Sequence, residues 1–356
     1  MRHAVIMAGG VGVRLWPLSR KQHPKQLLRL FKGTSLLRQS YERVATLLDP
    51  GQIHVITSQA HLGVVAKELP ELPAANLIGE PAGRNTANAV GLAAAVIARR
   101  EPDVVIGMFT ADHIITPVDR FSNAVERAYQ IAEEHRDALV TMGIKPSRPD
   151  TNYGYVQRGE RIADGVHEVK LFTEKPGRAD AEEYVSSGEY YWNSGMFAWQ
   201  ASTILEQLQK HLPGSFNAVR EIAAAWDTGE RQQKLADLYP SLTSISIDFA
   251  VMEKADRVLV VEMDCDWVDV GSWPAIEAVI PADADGNLSA CERVMHLASR
   301  GNIVVSEEKH LIATIGVDDL VIVHSPDATL ICKKSEAASI KEMVDKVHEE
   351  YGDTYA

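Results

Sequence analysis

Short apolar runs alternate with segments of helical period through the first two-thirds of the chain, and this alternation is the strongest constraint on its fold. "HAVIMAGG", "IHVITS", "VVIGMFTADH" and "ALVTMGI" are too brief for buried helices and read as strands. Between them, apolar residues recur every three or four positions: Leu37, Tyr41, Val44 and Leu48; Val90, Ala93, Ala94 and Ile97; Phe121, Ala124, Val125, Ala128 and Ile131. Thr116 and Pro117 supply a cap and a first-turn proline for the last of these helices. Strand, helix, strand in repetition predicts an α/β domain with a Rossmann-like, mostly parallel sheet.

The pattern changes near "IPADADGN", Ile280 to Asn287, where proline, glycine and aspartates break the apolar period and suggest a linker. Beyond it, "NIVVS", "HLIATIG", "LVIVHS" and "ATLICKK" are β-like runs at regular spacing. Two segments are expected, an α/β domain over 1–282 and a small C-terminal β domain over 283–356. The latter ends in a helix whose stripe of Ile340, Met343, Val344 and Val347 is a docking face.

With 36 Lys plus Arg against 49 Asp plus Glu, the formal charge is -13, which argues against a sequence-independent grip on nucleic acid or an anionic membrane. An anionic ligand must therefore be held by local cations. Cys265, Cys291 and Cys332 form no CxxC pair, so neither a disulfide framework nor a thiolate zinc site is indicated, and a reduced cytoplasm fits. The apolar part of "MRHAVIMAGG" is too short for a signal peptide.

The first strand ends in a glycine loop, Gly9, Gly10 and Gly12, followed by Arg14 and later by Lys25. Glycines after a strand let backbone N–H groups approach phosphate oxygens. The dinucleotide fingerprint fails, because Leu15 stands where its third glycine belongs, and no Gly-Lys-Ser/Thr triplet supports a Walker loop. Two cations flanking such a loop in an acidic chain point to local neutralisation of polyphosphate.

"GGVGVRLWPLSRKQHPKQL" resembles the signature of the sugar-nucleotide pyrophosphorylase family, and within it the guanylyltransferase branch that acts on mannose 1-phosphate. "GEPAGRNTANAVGLAA", "FTADH", "NYGYVQ", "FTEKP", "NSGMFAW", "SIDFAVMEK" and "WVDVGSW" agree in order, so the resemblance covers nearly the whole chain. Asn88 departs from the proline many relatives carry after "RNTA". The likeness is to the short, single-activity form, with a β-helix-like C-terminal domain and a homodimeric state.

The resemblance implies transfer of GMP from GTP to mannose 1-phosphate, giving GDP-mannose and pyrophosphate, in the cytoplasm. The sugar phosphate, with a second pKa of about 6, is already mostly a dianion at pH 7, so no general base is required. Repulsion between the two reactants opposes the reaction, and cations and positioning must overcome it. Arg14 is the candidate for the β and γ phosphates and Lys25 for the α-phosphate or leaving group. The resemblance implies that Asp112 and Asp269 hold Mg²⁺, with Asp264 and Asp266 as nearby decoys and His113 as a local hydrogen bonder. On the nucleotide side it implies Ala8 and the glycines, with Arg84, Asn85 and Thr86; Glu80 is either an acceptor for the guanine amino group or an exposed loop acid. On the sugar side it implies Gly154, Glu174, Asn193 and Gly195, with Lys175 on the sugar's phosphate. Two alternatives remain at this level: UTP or dTTP with glucose 1-phosphate, and a catalytically silent regulatory paralogue.

Overall fold

Each apolar run becomes a strand. In chain order the strands are β1 (Arg2–Ala8), β2 (Ile53–Ser58), β3 (Leu77–Glu80), β4 (Val105–Thr110), β5 (His113–Thr116), β6 (Leu139–Ile144), β7 (Tyr155–Ala163), β8 (Val166–Thr173), β9 (Tyr190–Gln200), β10 (Val258–Glu262) and β11 (Asp266–Asp269). There follow β12 (Leu288–Ala290), β13 (Arg293–Leu297), β14 (Ile303–Ser306), β15 (Leu311–Ile315), β16 (Leu320–His324) and β17 (Thr329–Lys333). The helices are α1 (Leu36–Val44), α2 (Leu62–Glu68), α3 (Asn85–Arg100), α4 (Val118–Glu134), α5 (Arg178–Ser187), α6 (Ala201–His211), α7 (Pro213–Ala224), α8 (Arg231–Leu238) and α9 (Ile340–Tyr351).

The computed structural model describes residues 1–30 and 33–356, which divide into two units that do not follow chain order. The first holds Met1–Gly9, Tyr41–Thr110 and Thr116–Asp266; the second holds Gly10–Ser40, Ala111–Ile115 and Trp267–Ala356. The segment boundary at 282/283 therefore falls inside the second unit.

The first unit is built on a nine-stranded sheet of order β3-β2-β1-β4-β9-β6-β10-β8-β7. Its β3-β2-β1-β4 half is parallel, as the strand–helix alternation requires. The sheet as a whole is mixed, because β9 runs antiparallel to both β4 and β6, and β7 and β8 form a hairpin. Parallel neighbours need a long crossover, whereas only Asp164 and Gly165 separate β7 from β8, and Gly165 has a φ of 63°. Helix α3 is buried continuously from Ala87 to Ile97 and packs its small side chains into the core with Ile106, Trp199, Ile204 and Ile222. Helix α4 begins one residue later than its expected first-turn proline: Pro117 is the cap, since a residue before proline is driven to extended backbone and Thr116 ends β5.

In the second unit β12, β14 and β16 stack in parallel, bringing Leu288, Ile303 and Val321 into line, and β17 closes that sheet antiparallel. β13 and β15 form a second parallel face. The result is a short β-helix-like stack. Its corners are held by buried asparagines: Oδ1 of Asn287 accepts from the amide and side chain of Asn302, and Oδ1 of Asn302 accepts from the Leu320 amide. "IPADADGN" is the turn into it, with the Asp283 carboxylate accepting from the amides of Asp285 and Asn287. Ile340 and Val344 of α9 pack with Leu15, Trp16 and Trp273, while Met343 points outward. Among the described residues, no helix is long and apolar enough to cross a membrane.

Candidate active site

After β1 the chain passes through Gly9, Gly10 (φ 86°) and Gly12 (φ 75°). The loop then enters one 3-10 turn, Val13–Leu15, and later another, Lys25–Leu27, with Pro17 and Pro24 between them. A proline lacks the N–H that helix propagation needs, so no long helix stands behind this loop and the positive charge must come from side chains. Gly12 is required for close approach as well as for its dihedral: a Cβ there would lie 2.5 Å from Cβ of Lys25. The Lys25 stem thus runs against the loop, and its amide donates to Val11 O at 3.2 Å.

Four of the predicted residues meet within the second unit. The Lys25 ammonium forms an ion pair with the Asp112 carboxylate. β5 and β11 pair to bring Asp269 alongside, and the Val270 amide donates to Asp112 O at 3.3 Å. A Cβ on Gly271 would lie 3.5 Å from both Nη2 of Arg14 and Oδ1 of Asp269, which places these two groups around one glycine. Burial opposes the charge on Lys25, but the carboxylates of Asp112 and Asp269 outweigh it and hold the ammonium above its ordinary pKa. Burial likewise works against the Asp112 carboxylate, and the Lys25 ammonium overcomes it to keep the group below the ordinary aspartate value. Asp264 is instead paired with Arg120 at 2.5 Å, and Asp266 is exposed, so neither decoy joins the cluster.

His113 is more than a local hydrogen bonder. Its Nε2 lies 3.8 Å from Oδ1 of both Asp112 and Asp269, and its Nδ1 accepts the Trp267 indole N–H at 3.1 Å. Indole can only donate, so Nδ1 carries the lone pair and the neutral ring holds its proton on Nε2, facing the carboxylates. The sequence signal is the adjacency of His113 to Asp112; the orienting Trp267 comes 154 residues later.

Of the nucleotide-side residues, Gly10 and Gly12 belong to the second unit and Ala8, Gly9, Glu80, Arg84, Asn85 and Thr86 to the first. Ala8 ends β1 and its carbonyl accepts from the Thr57 hydroxyl at 2.8 Å. Glu80 is buried at the end of β3, 3.9 Å from where a Gly9 Cβ would stand, and accepts from the Tyr239 hydroxyl at 2.5 Å. It is not an exposed loop acid; burial raises its pKa against the opposing pull of Tyr239. Arg84 spends its guanidinium on Pro240 O (Nε at 2.8 Å). Asn85 takes a φ of 62° and accepts from the Thr86 amide, while the Thr86 hydroxyl accepts from the Ile247 amide at 2.9 Å. Asn88 donates to the carbonyls of Arg84 and Thr243, both at 2.8 Å, so this departure from the family pattern ties the start of α3 to the 240–247 segment.

The sugar-side residues also gather within the first unit. Glu174 lies over Gly154, so closely that a Cβ there would collide with its Oε2. Lys175, with a φ of 50°, sets its ammonium 3.3 Å from Glu174 Oε1. Non-glycine residues with positive φ are rare, and of the four among the described residues Asn85 and Lys175 fall on candidate site residues, while Ala298 and Asp319 lie in the C-terminal β stack. Asn193 donates to Oδ1 of Asp248 at 2.9 Å and accepts from the Gly195 amide at 3.1 Å, Gly195 having a φ of 68°. Burial, then the nearby Asp248 carboxylate, push the Glu174 carboxyl up to about 7. Sequence reasoning misses Asp248 and Glu253, the latter accepting from the Glu174 amide at 3.1 Å. Both lie in "SIDFAVMEK", a stretch that carries the resemblance without pointing to a role for either.

Two compact clusters of charge and a glycine loop define a phosphate-handling transferase, and comparison with known proteins agrees. Residues 3–286 match the family described as nucleotidyl transferase, and residues 292–347 match one described as MannoseP isomerase/GMP-like beta-helix domain. The chain is 41% identical over 350 residues to a mannose-1-phosphate guanylyltransferase of Klebsiella pneumoniae, covering 96% of this chain and 73% of that one. A mannose-1-phosphate guanylyltransferase of Escherichia coli gives the same identity and coverage. A crystal structure from Thermus thermophilus, described as a mannose-1-phosphate geranyltransferase, superposes with a TM-score of 0.87 at 35% identity, covering 98% of this chain and 99% of that one. The chain belongs to the mannose-1-phosphate guanylyltransferase family.

Proposed function

We propose that the protein transfers GMP from GTP to mannose 1-phosphate, releasing pyrophosphate and forming GDP-mannose. The observation that carries this reading is the assembly of Arg14, Lys25, Asp112 and Asp269 from three separate stretches of chain into one cluster. A reaction between two anions needs fixed cations more than a base. Arg14 bridges phosphate oxygens of GTP, and Lys25 neutralises charge on the α-phosphate or the departing pyrophosphate. The glycine loop lets both approach without steric obstruction.

The donor set suits a hard divalent cation. Oδ1 of Asp269 is buried with no hydrogen-bond partner among the described residues, and Asp112, His113 and Asp269 offer atoms within 4.8 Å of one another. Asp112 and Asp269 would hold Mg²⁺, which when bound screens the phosphate charges. His113, with its proton on Nε2, turns that N–H to the carboxylates at 3.8 Å without a hydrogen bond and is not a third ligand. Glu174, Asn193 and Lys175 take the hexose phosphate; Glu80 and the Arg84–Thr86 segment take the nucleotide. We place the enzyme in the cytosol as a homodimer, on family likeness.

The test is pyrophosphate release across a panel of nucleoside triphosphates and sugar 1-phosphates, with Mg²⁺ and with chelator. The reading requires GTP with mannose 1-phosphate to be the best pair and the chelator to abolish turnover; preference for UTP or dTTP with glucose 1-phosphate, or no turnover with any pair, sinks it. Sedimentation velocity checks the dimer.

A further inference from the structure

We propose that Arg20 is a positioning residue for the loop that carries Arg14 and Lys25, and that Asp327, in the turn between β16 and β17, is its anchor; this rests on the assignment of those two cations to the phosphates of GTP. Between Arg14 and Lys25 the chain forms no α-helix, only a 3-10 turn at each end, so its shape depends on what it packs against. Leu15, Trp16 and Leu18 are buried with Trp273 and with Ile303 and Val321 of the β stack. Such burial holds the segment down but is non-directional.

Arg20 supplies the direction. Its side chain is only 16% exposed, so the guanidinium needs partners. Nη1 and Nη2 donate to Oδ2 and Oδ1 of Asp327 at 2.7 and 2.5 Å, Nη2 also to the Ser325 hydroxyl at 3.1 Å, and Nε to Pro17 O at 2.9 Å. Two N–H groups on the two oxygens of one carboxylate fix an angle as well as a distance. The anchor is itself rigid: the Ser325 amide donates to Ala328 O at 2.9 Å, and Pro326 sets the turn between them.

From Arg20 the constraint passes along the backbone to the cations. Arg20 and His23 exchange backbone hydrogen bonds at 2.9 and 3.0 Å, and Pro24 is extended. The Lys25 amide then returns to Val11 O at 3.2 Å, an oxygen that also accepts from the Ser19 hydroxyl. On the other side the Ser19 amide donates to Leu15 O at 3.0 Å and the Leu15 amide to Gly12 O at 2.8 Å, which fixes the turn bearing Arg14. Neighbouring Lys21 pairs with Asp353, but both side chains are more than half exposed, and a pair of that kind contributes little.

The experiment measures binding of GTP and of GMP in the presence of Mg²⁺, with steady-state kinetics, for wild type, Asp327→Asn, Arg20→Lys and the double variant. Asp327→Asn should weaken GTP binding roughly fivefold or more and lower kcat roughly tenfold or more, because cations that stabilise a transition state must be held in place. Binding of GMP, which lacks the β and γ phosphates, and KM for mannose 1-phosphate should stay within about twofold. Arg20→Lys keeps the charge but loses the fork and should behave like Asp327→Asn, and the double variant should be no worse than the worse single one. Lys21→Gln should match wild type. Equal weakening of GTP and GMP, an unchanged kcat, fully multiplicative effects in the double variant, or the same losses in Lys21→Gln would each overturn the proposal. If Arg20→Lys does not fold, Asp327→Asn, altered at a side chain 45% exposed, carries the GTP-against-GMP comparison alone. Should wild type bind GTP no more tightly than GMP, the assignment of the loop to the phosphates fails instead, so the two failures are distinct.

Discussion

The Trp267 indole donates to Nδ1 of His113 at 3.1 Å, and this bond decides which face of the imidazole carries the proton. With Nδ1 occupied, Nε2–H is turned toward Asp112 and Asp269, 3.8 Å from an oxygen of each. Trp267→Phe removes the donor and frees the other tautomer. We expect a fall in kcat of roughly tenfold or more and a higher Mg²⁺ concentration for half-maximal rate, with a far-UV circular dichroism spectrum like wild type. An unchanged Mg²⁺ dependence would show that the tautomer has no bearing on the carboxylates.

Arg14 and Lys25 separate by their structural surroundings. Lys25 is mostly buried and compensates Asp112, so Lys25→Ala removes one partner of a desolvated pair; a loss of about 2–4 kcal/mol in unfolding free energy should accompany the loss of turnover. Arg14→Ala should lower kcat to a similar degree with a stability change of about 1 kcal/mol or less. Urea unfolding beside initial rates distinguishes the two, and equal destabilisation would contradict the ion-pair argument.

Gly12 carries two constraints at once, a φ of 75° and a Cβ position 2.5 Å from Lys25. Gly12→Ala should therefore cost about 2 kcal/mol or more and displace the lysine, reducing kcat in parallel. Gly10 has the same kind of dihedral but open space around it, so Gly10→Ala should affect stability less. Thermal melts of the two variants check the order.

Glu174 predicts a pH signature. Its folded-state pKa of about 7 lies above the ordinary 4.5, so the folded protein binds a proton that the unfolded chain releases between those values. The stability from that protonation is full below about pH 4.5 and is lost as pH rises through 7. Glu174→Gln has no such loss, and its stability relative to wild type should grow by on the order of 2 kcal/mol between about pH 5 and pH 8. Denaturant titrations across that range measure it; a pH-independent difference would mean the carboxyl is not held protonated.

The sequence alone determined the alternation that makes the α/β half of the sheet, the glycine loop and the cations behind it, because period, glycine placement and charge are local properties. It also marked both aspartates at strand ends, although their metal role came through resemblance. Only the tertiary structure decided that the units would be discontinuous, that Glu80 would be buried against Tyr239, that Arg84 would be spent on a backbone carbonyl, and that Asp248 would stand behind Asn193. The physical reason is common to all four: burial, proton affinity and hydrogen-bond partners are set by neighbours 55 to 159 residues away, and a linear pattern carries no record of that distance.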